Sequence, residues 1–360
     1  MSEFQWKDIL AVLGARGDLT IEQSIWAMQT LMSGTATDAQ ISAFVFGLKV
    51  KGETATEISG LVSAMLENAV RVPLGRVAVD VVGTGGDGAN TVNVSTMSAI
   101  VVAGAGIPVL KHGNRAASSK SGTADVLEAL GVEISIAPEH VATCLVEAGI
   151  AFCFAPNHHP AMRYAGPVRK ELAIPTVFNV LGPLANPGQP PAALLGCADI
   201  RMAPVLAQVQ LERGLKSIVV RSDEGLDELS TSTTSQAWDT TSGYLRHEVI
   251  DPQVLGLRTS SLAQLRGGDA SQNAQVVRDL FAGSNEGDLA VIREVVALNA
   301  ATAIVAFDAA NGDSRFGEVT ATLTSRIRNA LPLAFKSIDD GGAQKALARW
   351  IHVTQEFAKL

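Results

Sequence analysis

The segment on which the interpretation of this chain depends reads VAVDVVGTGGDGANTVNVST, residues 77–96. Its first six residues form an apolar, β-branched run that predicts a buried strand, and the run passes directly into a turn with four glycines at 83–88, here called the glycine loop. Similar apolar runs recur along the chain with helical stretches between them, at 107–111, 132–136, 150–156, 192–198 and 216–222. Strands that alternate with helices are typical of a mostly parallel sheet covered on both faces. In such folds ligands bind at the carboxyl ends of strands, so the glycine loop is the first candidate site.

The chain before this segment shows helical periodicity. Apolar residues recur at steps of three and four in 21–32 and 41–48, and Thr20, Thr37 and Thr54 stand where helix N-caps belong. After about residue 250 long helical patterns return. We therefore predict an α/β protein with a small N-terminal helical domain and a larger α/β domain with a central, mostly parallel sheet. The predicted helical domain is 1–72, joined by part of 168–190, and the α/β domain is 73–360.

Composition limits the classes of protein to which the chain can belong. It has 360 residues, 47% of them hydrophobic and 18% charged, and a formal net charge of −8. These values disfavour a disordered chain and a protein that binds nucleic acid through bulk positive charge. The start of the chain lacks a basic segment followed by an apolar run, and the apolar stretch 99–110 is too short to cross a bilayer. We expect a soluble cytoplasmic protein without nucleic-acid or membrane partners.

The cysteines agree with that expectation. Cys144, Cys153 and Cys197 are odd in number and form no CxxC pair. They are expected to be reduced, buried thiols rather than a disulfide framework or a zinc site.

The glycine loop superficially resembles a dinucleotide-binding turn. Gly83, Gly85 and Gly88 satisfy G-x-G-x-x-G, but that motif also requires an immediate helix and an acid about 20 residues later. Here TVNVST (91–96) intervenes, and the first acid after Asp87 is Asp125. What remains is either a loop whose amides approach an anion or a tight structural turn. Asp87 would repel a bare phosphate, so it favours a hydroxyl, an amide or a metal-bound phosphate.

Two further segments extend the possible anion site. NVST (93–96) opens an apolar helix, where small polar residues serve as caps and free N–H groups bind phosphate. From residue 88 to residue 124 the only charged side chains are Lys111, Arg115 and Lys120. The stretch 111–124, here called the basic loop, is a local positive region and is either an anion site or a solvated loop. It is not a Walker A loop, because Ser119 rather than glycine precedes Lys120.

A group of acids follows the strand predicted at 216–222. Asp223, Glu224, Asp227 and Glu228 form two carboxylate pairs in the acidic loop, 223–228. Carboxylates at the end of a strand suit Mg²⁺, which prefers carboxylate, water and phosphate oxygens, although acidic loops are often only solvated.

Another polar segment reads HHPAMRYAGPVRKEL (158–172). Arg169 in this segment either binds a carboxylate with both guanidinium nitrogens or forms an ion pair with Glu171. His158 and His159 have no second ligand cluster, and the chain contains neither HExxH nor GxSxG, which disfavours a zinc hydrolase and an α/β-hydrolase.

Taken together, these segments resemble the anthranilate phosphoribosyltransferases of tryptophan biosynthesis. The matching motifs occur in the family's order, and with the flanking helical regions the resemblance covers essentially the whole chain. They are GTGGD (83–87), TVNVST (91–96), KHGNRAASSKSGTADVLEALG (111–131), HHPAMRYAGPVRKEL (158–172), FNVLGPLANP (178–187) and GLDELS (225–230).

The resemblance implies a fold like that of nucleoside phosphorylases and phosphoribosyltransferases, and a homodimer. It also implies transfer of phosphoribose from phosphoribosyl pyrophosphate (PRPP) to the amine of anthranilate, with Mg²⁺ as cofactor and release of pyrophosphate. Lys111, Asp87 and Arg169 would be the catalytic residues, and Ser95, Asp227 and Glu228 would serve the metal.

The substrate-binding residues implied by the resemblance are numerous. Arg169 and Asn114 would contact anthranilate, with Gly83 nearby and His112 as a further candidate. The PRPP site would comprise Gly83, Gly86, Asp87, Thr91, Asn93, Val94, Ser95, Thr96, Lys111, His112, Gly113, Asn114, Arg115, Ala116, Ala117, Ser118, Ser119 and Thr123.

Two alternative functions stay open on the sequence. A pyrimidine nucleoside phosphorylase shares this architecture, but the motif around Arg169 favours an aromatic amine substrate. A non-catalytic, nucleic-acid-binding relative is disfavoured by the sequence pI near 5.3.

Overall fold

The computed structural model describes residues 4–116 and 120–359. It begins with four helices, as the periodicity predicts. Three of them start at the predicted threonine caps, where each hydroxyl accepts the backbone N–H three residues later and the side chain there accepts the threonine N–H in return. The helices are α1 (Trp6–Gly14), α2 (Ile21–Met32), α3 (Asp38–Lys51) and α4 (Ala55–Glu67).

A seven-stranded sheet follows, in the spatial order β3-β2-β1-β4-β5-β6-β7. The first five strands along the chain are parallel, and the last two pair antiparallel at one edge. The strands are β1 (Val79–Gly83), β2 (Val109–Gly113), β3 (Ile150–Phe154), β4 (Ala192–Gly196), β5 (Lys216–Ser222), β6 (Ser235–Asp239) and β7 (Arg246–Ile250). The predicted parallel sheet is confirmed.

Helices connect and cover these strands. Those between β1 and β5 are α5 (Val94–Gly104), α6 (Thr123–Leu130), α7 (Pro138–Ala148), α8 (Ala155–His158), α9 (Gly166–Leu172), α10 (Phe178–Leu181) and α11 (Met202–Glu212). After β7 come α12 (Ala270–Phe281), α13 (Asp288–Ala310), α14 (Leu323–Asp339) and α15 (Gly342–Phe357). Short 3-10 helices lie at Pro160–Ala165, Gly182–Leu184 and Leu262–Leu265.

Within the described ranges, α13 is the one helix long and apolar enough to cross a membrane. In its most apolar 18-residue window, 89% of the residues are buried inside the protein. It packs against α5, α14 and the middle of the sheet. This is the environment of a central core helix.

The strand predicted at 132–136 is wrong. This segment has no regular secondary structure and pairs with no strand among the described residues. Val132, Ile134 and Ile136 are buried in the main core, and the N–H of Glu133 donates to the hydroxyl of Thr354 on α15. The apolar alternation therefore reflects packing against helices. Conversely, β6 and β7 were not predicted, because SQAWD and RHEVI are largely polar.

The sheet separates two hydrophobic cores. Val79 and Val81 of β1 face a core built with α5, α13 and the C-terminal helices, whereas Val82 faces a core shared with the N-terminal helices and α11. Leu194 and Leu195 of β4 alternate in the same way. Because these strands are parallel neighbours, the carboxyl ends of β1, β2, β4 and β5 lie together at one end of the sheet, here called the carboxyl edge.

Candidate active site

The glycine loop and the acidic loop meet at this sheet edge. The N–H of Gly85 donates to Oδ2 of Asp227 over 2.7 Å. A Cβ atom on Gly83 would lie inside van der Waals contact of the same carboxylate, and one on Gly196 would overlap the Asp227 carbonyl. Glycine at the ends of β1 and β4 therefore makes room for Asp227. Within the glycine loop, Gly85, Gly86 and Gly88 have positive φ, the conformation that glycine adopts without strain.

Three carboxylates form what we call the acidic cluster. Asp87, Asp227 and Glu228 each offer an oxygen, and these atoms lie within 4.8 Å of one another. Burial raises the pKa of Asp227 to about 6, with a further contribution from the charge of Asp87. Burial and the charge of Asp227 also raise the pKa of Glu228. Repulsion of this kind is relieved when a cation binds between the carboxylates.

The acidic cluster fits Mg²⁺. Three carboxylate groups are the donor set that this ion prefers. Oε2 of Glu228 is buried and has no hydrogen-bond partner among the described residues, so an oxygen is available for a ligand. The first acidic pair does not join the cluster, because Asp223 accepts hydrogen bonds from Thr234 and Gln236 and Glu224 accepts one from Ser232.

Lys111 brings a positive charge to the same edge. Its side chain is buried in β2, and Nζ donates to the carbonyl of Val81 and, over 3.3 Å, to Oγ of Ser95. Burial lowers the pKa of Lys111 to about 8, and the nearby carboxylates of Asp80, Glu228 and Asp227 act in the opposite direction. The predicted lysine, hydroxyl and acidic residues therefore converge on one site.

The start of α5 closes another side of the site. Asn93 stands at the N-cap position but makes no side-chain capping bond, so capping does not explain it. Its Nδ2 donates instead to the carbonyl of Ser121 over 3.4 Å, and the hydroxyls of Thr96 and Thr123 lie 3.4 Å apart. These contacts join the NVST segment to the basic loop.

The basic loop is less positive than its sequence suggests. The guanidinium of Arg115 pairs with Asp125 at 3.1 Å and with Glu128 at 2.5 Å, both on α6. Its charge is therefore balanced by the helix that follows, while its backbone stays in the loop beside Asn114. Ala117, Ser118 and Ser119 lie outside the described residues.

Two buried histidines connect this site with the 158–172 segment. Nδ1 of His112 lies 3.0 Å from the carbonyl of Gly182, and its ring meets that of His159 edge-on at 5.4 Å. Nε2 of His159 lies 2.8 Å from the carbonyl of Ala185. Burial lowers the pKa of His112 to about 3 and that of His159 to about 4. Both rings are therefore neutral at pH 7.

Arg169 lies on α9, in the same 158–172 segment as His159. Its guanidinium carbon is 5.6 Å from the centre of the Phe178 ring, a cation–π arrangement. It forms no ion pair with Glu171 or any other carboxylate in 4–116 and 120–359. The guanidinium is thus able to bind a carboxylate from outside the chain.

One wall of the site was not predicted from the sequence. The segment after Leu262–Leu265 lies along residues 90–93: Val92 donates to the carbonyl of Leu265, and Gly267 donates to that of Asn90. The signal present in the sequence was the glycine pair of LRGGD (265–269), immediately before a helical pattern. Paired glycines at that position indicate close approach of two backbones.

Comparison with known families gives two matches that divide the chain. The α/β domain of a glycosyl transferase family matches residues 75–343. The helical bundle domain of a glycosyl transferase family matches residues 7–69.

Curated relatives extend over nearly the whole chain. An anthranilate phosphoribosyltransferase of Rhodococcus jostii (strain RHA1) is 51% identical over 353 residues, covering 98% of this chain and 94% of the relative. One of Salinispora arenicola (strain CNS-205) is 50% identical over 357 residues, covering 98% of each.

Solved structures agree with these relatives. The anthranilate phosphoribosyltransferase of Thermus thermophilus matches with a TM-score of 0.85 and 35% identity, covering 97% of this chain and 99% of that one. The Saccharomyces cerevisiae enzyme in complex with PRPP and Mg matches with a TM-score of 0.85 and 26% identity, covering 98% of each chain. The same yeast enzyme with 4-fluoroanthranilate has a TM-score of 0.83 at 25% identity, covering 99% of this chain and 100% of that one.

Proposed function

This chain belongs to the anthranilate phosphoribosyltransferases, and we propose that the carboxyl edge of its sheet is the active site for their reaction. The enzyme transfers the phosphoribosyl group of PRPP to the amine of anthranilate and releases pyrophosphate, a step of tryptophan biosynthesis. One observation carries the site assignment: the acidic cluster, the glycine loop and Lys111 meet at one sheet edge.

The PRPP site is built from three segments. The glycine loop supplies backbone N–H groups, the start of α5 supplies the positive end of a helix dipole, and Lys111 supplies a buried charge. The residues proposed to contact PRPP are Gly83, Gly86, Asp87, Thr91, Asn93, Val94, Ser95, Thr96, His112, Gly113, Arg115, Ala116 and Thr123, together with Lys111. Ala117, Ser118 and Ser119 remain part of the proposal from their place in the sequence.

Asp227, Glu228 and Ser95 are proposed to hold magnesium, with Asp87 as a further carboxylate of the acidic cluster. When bound, Mg²⁺ neutralises charge on the diphosphate and so favours its departure. Lys111 keeps Ser95 in place through the 3.3 Å hydrogen bond, and Gly85 fixes the orientation of the Asp227 carboxylate.

The chemistry demands charge stabilisation more than proton transfer. As the bond from ribose C1 to the diphosphate breaks, positive charge develops on the sugar and negative charge on the leaving group. Lys111 and the amides at the start of α5 stabilise that negative charge. The aromatic amine of anthranilate is neutral at pH 7, so its lone pair attacks C1 without prior activation by a base. Positioning of the two substrates provides the remaining contribution.

Anthranilate is proposed to bind between Asn114 and Arg169, close to Gly83. Arg169 suits the carboxylate because its guanidinium has no acidic partner among the described residues and is stacked on Phe178. His112 is neutral, and Nε2 is buried without a hydrogen-bond partner in the described structure. Because Nδ1 donates to the carbonyl of Gly182, Nε2 carries a lone pair able to accept an amine N–H.

A fluorescence assay tests the proposed function. Incubating the purified protein with PRPP, Mg²⁺ and anthranilate is expected to remove anthranilate fluorescence and to release one pyrophosphate for each anthranilate consumed. Omitting PRPP, or chelating the metal with EDTA, is the control and should abolish both signals. Persistent fluorescence with no pyrophosphate would refute the function. Release of free base from thymidine and phosphate would instead support the nucleoside phosphorylase alternative.

The assembly, location and domain division are also proposals. Phe46 and Val50 on α3 are each 52% exposed, which supports a homodimer that covers this apolar surface. Three free, buried cysteines support a reducing, cytoplasmic location. The ranges 7–69 and 75–343 of the two family matches support a domain boundary near residue 72. Light scattering of the purified protein would test the dimer, and a monomeric mass would count against it.

A further inference from the structure

A buried asparagine on α12 contacts Asn93, a residue of the proposed PRPP site. Asn273 is 3% exposed, and its Nδ2 donates to Oδ1 of Asn93 over 2.8 Å. Its own Oδ1 accepts the N–H of Gly268, also over 2.8 Å. The two asparagines are 180 residues apart in the chain, so the tertiary fold alone brings them together.

This arrangement fixes which way both amide groups face. A backbone N–H can only donate, so the N–H of Gly268 requires the oxygen of the Asn273 amide on its side. The Asn273 nitrogen then faces Asn93 and requires the Asn93 oxygen there. As a consequence, Nδ2 of Asn93 faces away from α12, on the side of the Ser121 carbonyl 3.4 Å away. One of its two N–H groups remains for a ligand at the start of α5.

Close backbone packing keeps Asn273 within hydrogen-bond distance of Asn93. The N–H of Gly267 donates to the carbonyl of Asn90 over 2.8 Å. A Cβ atom on Gly267 would lie 2.6 Å from the carbonyl oxygen of Thr91 and 2.8 Å from Oδ1 of Asn273. Only glycine therefore allows α12 to approach the 90–93 segment closely enough for Asn273 to reach Asn93.

We infer that Asn273 is a positioning residue for PRPP, because it holds the Asn93 amide with its N–H groups toward the phosphate-binding side. Reversing that amide would present an oxygen atom to a phosphate and exchange an attraction for a repulsion. The inference rests on the proposed function, in which Asn93 contacts PRPP. Asn273 itself lies behind Asn93 and acts through it.

Asn273→Asp is the most direct test, since it preserves shape and the acceptor for Gly268 but removes the donor to Asn93. We expect the KM for PRPP to rise roughly tenfold, as for the loss of one hydrogen bond to a charged group, with kcat and the KM for anthranilate within about twofold of wild type. Asn273→Ser removes the same donor without adding charge and should change the KM for PRPP in the same direction. Asn329→Asp is the matched control, because Asn329 on α14 makes a comparable hydrogen bond to the carbonyl of Phe316, a residue outside the proposed site.

A double-mutant cycle with Asn93→Ala separates the explanations. If Asn273 acts through Asn93, adding Asn273→Asp to Asn93→Ala should raise the KM for PRPP no further. A further rise would show that the new charge itself repels PRPP, and would overturn the inference. So would unchanged KM values in both Asn273 variants, or equal increases for PRPP and anthranilate. If Asn93→Ala alone leaves the KM for PRPP unchanged, the assignment of Asn93 to the PRPP site fails, and the inference fails with it.

Discussion

The N–H of Gly85 donates to the carboxylate of Asp227 over 2.7 Å, which joins two loops that are 142 residues apart in the chain. This hydrogen bond aligns the acidic cluster with the glycine loop. It also satisfies one oxygen of a buried carboxylate whose pKa is raised by burial. The proposed phosphate-binding and metal-binding groups are therefore parts of one connected structure.

Gly83→Ala should disrupt that structure. The added methyl group would collide with the Asp227 carboxylate, so the acidic loop must move away from β1. We expect unfolding free energy to fall by about 1–3 kcal/mol and the KM for PRPP to rise at least about tenfold. Chemical denaturation and steady-state kinetics measure both quantities. Gly75→Ala is the control, because a Cβ there meets no heavy atom within 4 Å; similar behaviour of the two variants would contradict the account.

Arg169→Ala should affect the two substrates unequally. Loss of the guanidinium removes the proposed partner of the anthranilate carboxylate, so the KM for anthranilate should rise roughly tenfold or more while that for PRPP changes by less than about twofold. Lys170→Ala removes the neighbouring exposed charge and serves as the control. Equal losses for PRPP and anthranilate in Arg169→Ala would refute its assignment.

Much of this candidate site could be predicted from the sequence alone, because its loops follow strands with strong apolar patterns. Asp87 lies in the loop after β1, Lys111 lies near the end of β2, and the pair Asp227–Glu228 lies in the loop after β5. Parallel strands bring their carboxyl ends together. The threonine-capped helices were predictable for a similar reason, since a cap and its partner lie only three residues apart.

Contacts between distant segments were not predictable. Arg115 was expected to add positive charge to the site, but its partner Glu128 lies on a helix whose orientation no local pattern determines. Asn273 contacts Asn93 only because the tertiary fold brings α12 to the segment just before α5. An asparagine in an amphipathic helix does not by itself indicate such a contact. In the segment 132–136 a local pattern led to a wrong prediction, because its alternating apolar residues pack on helices without joining the sheet.

His159→Gln should change how stability depends on pH. The folded protein lowers the pKa of His159 from 6.5 to about 4, so between those values the unfolded chain binds the extra proton and stability falls as pH falls. The slope for one such group is at most about 1.4 kcal/mol per pH unit. Glutamine does not titrate, and its amide nitrogen can still donate to the carbonyl of Ala185.

The histidine contribution is obtained from the difference in unfolding free energy between wild type and His159→Gln, because other groups also titrate in this pH range. Burial raises the pKa values of Asp80 and Asp227 to about 6, and such groups add stability as pH falls, which opposes the histidine effect. Denaturant unfolding of wild type and His159→Gln at several pH values from 7 to about 4.5 isolates the histidine contribution. As pH falls, we expect the unfolding free energy of wild type to decrease relative to that of His159→Gln. Parallel pH profiles would argue against a buried, neutral His159.

The most direct test of the account is the magnesium dependence of PRPP binding, measured by calorimetry in wild type, Glu228→Gln and Glu224→Gln. Glu224 is the matched control, because its carboxylate binds Ser232 and lies outside the acidic cluster. We expect Mg²⁺ to tighten PRPP binding roughly tenfold or more in wild type and Glu224→Gln, and we expect Glu228→Gln to lose most of this effect. An identical response to Mg²⁺ in all three proteins would contradict it.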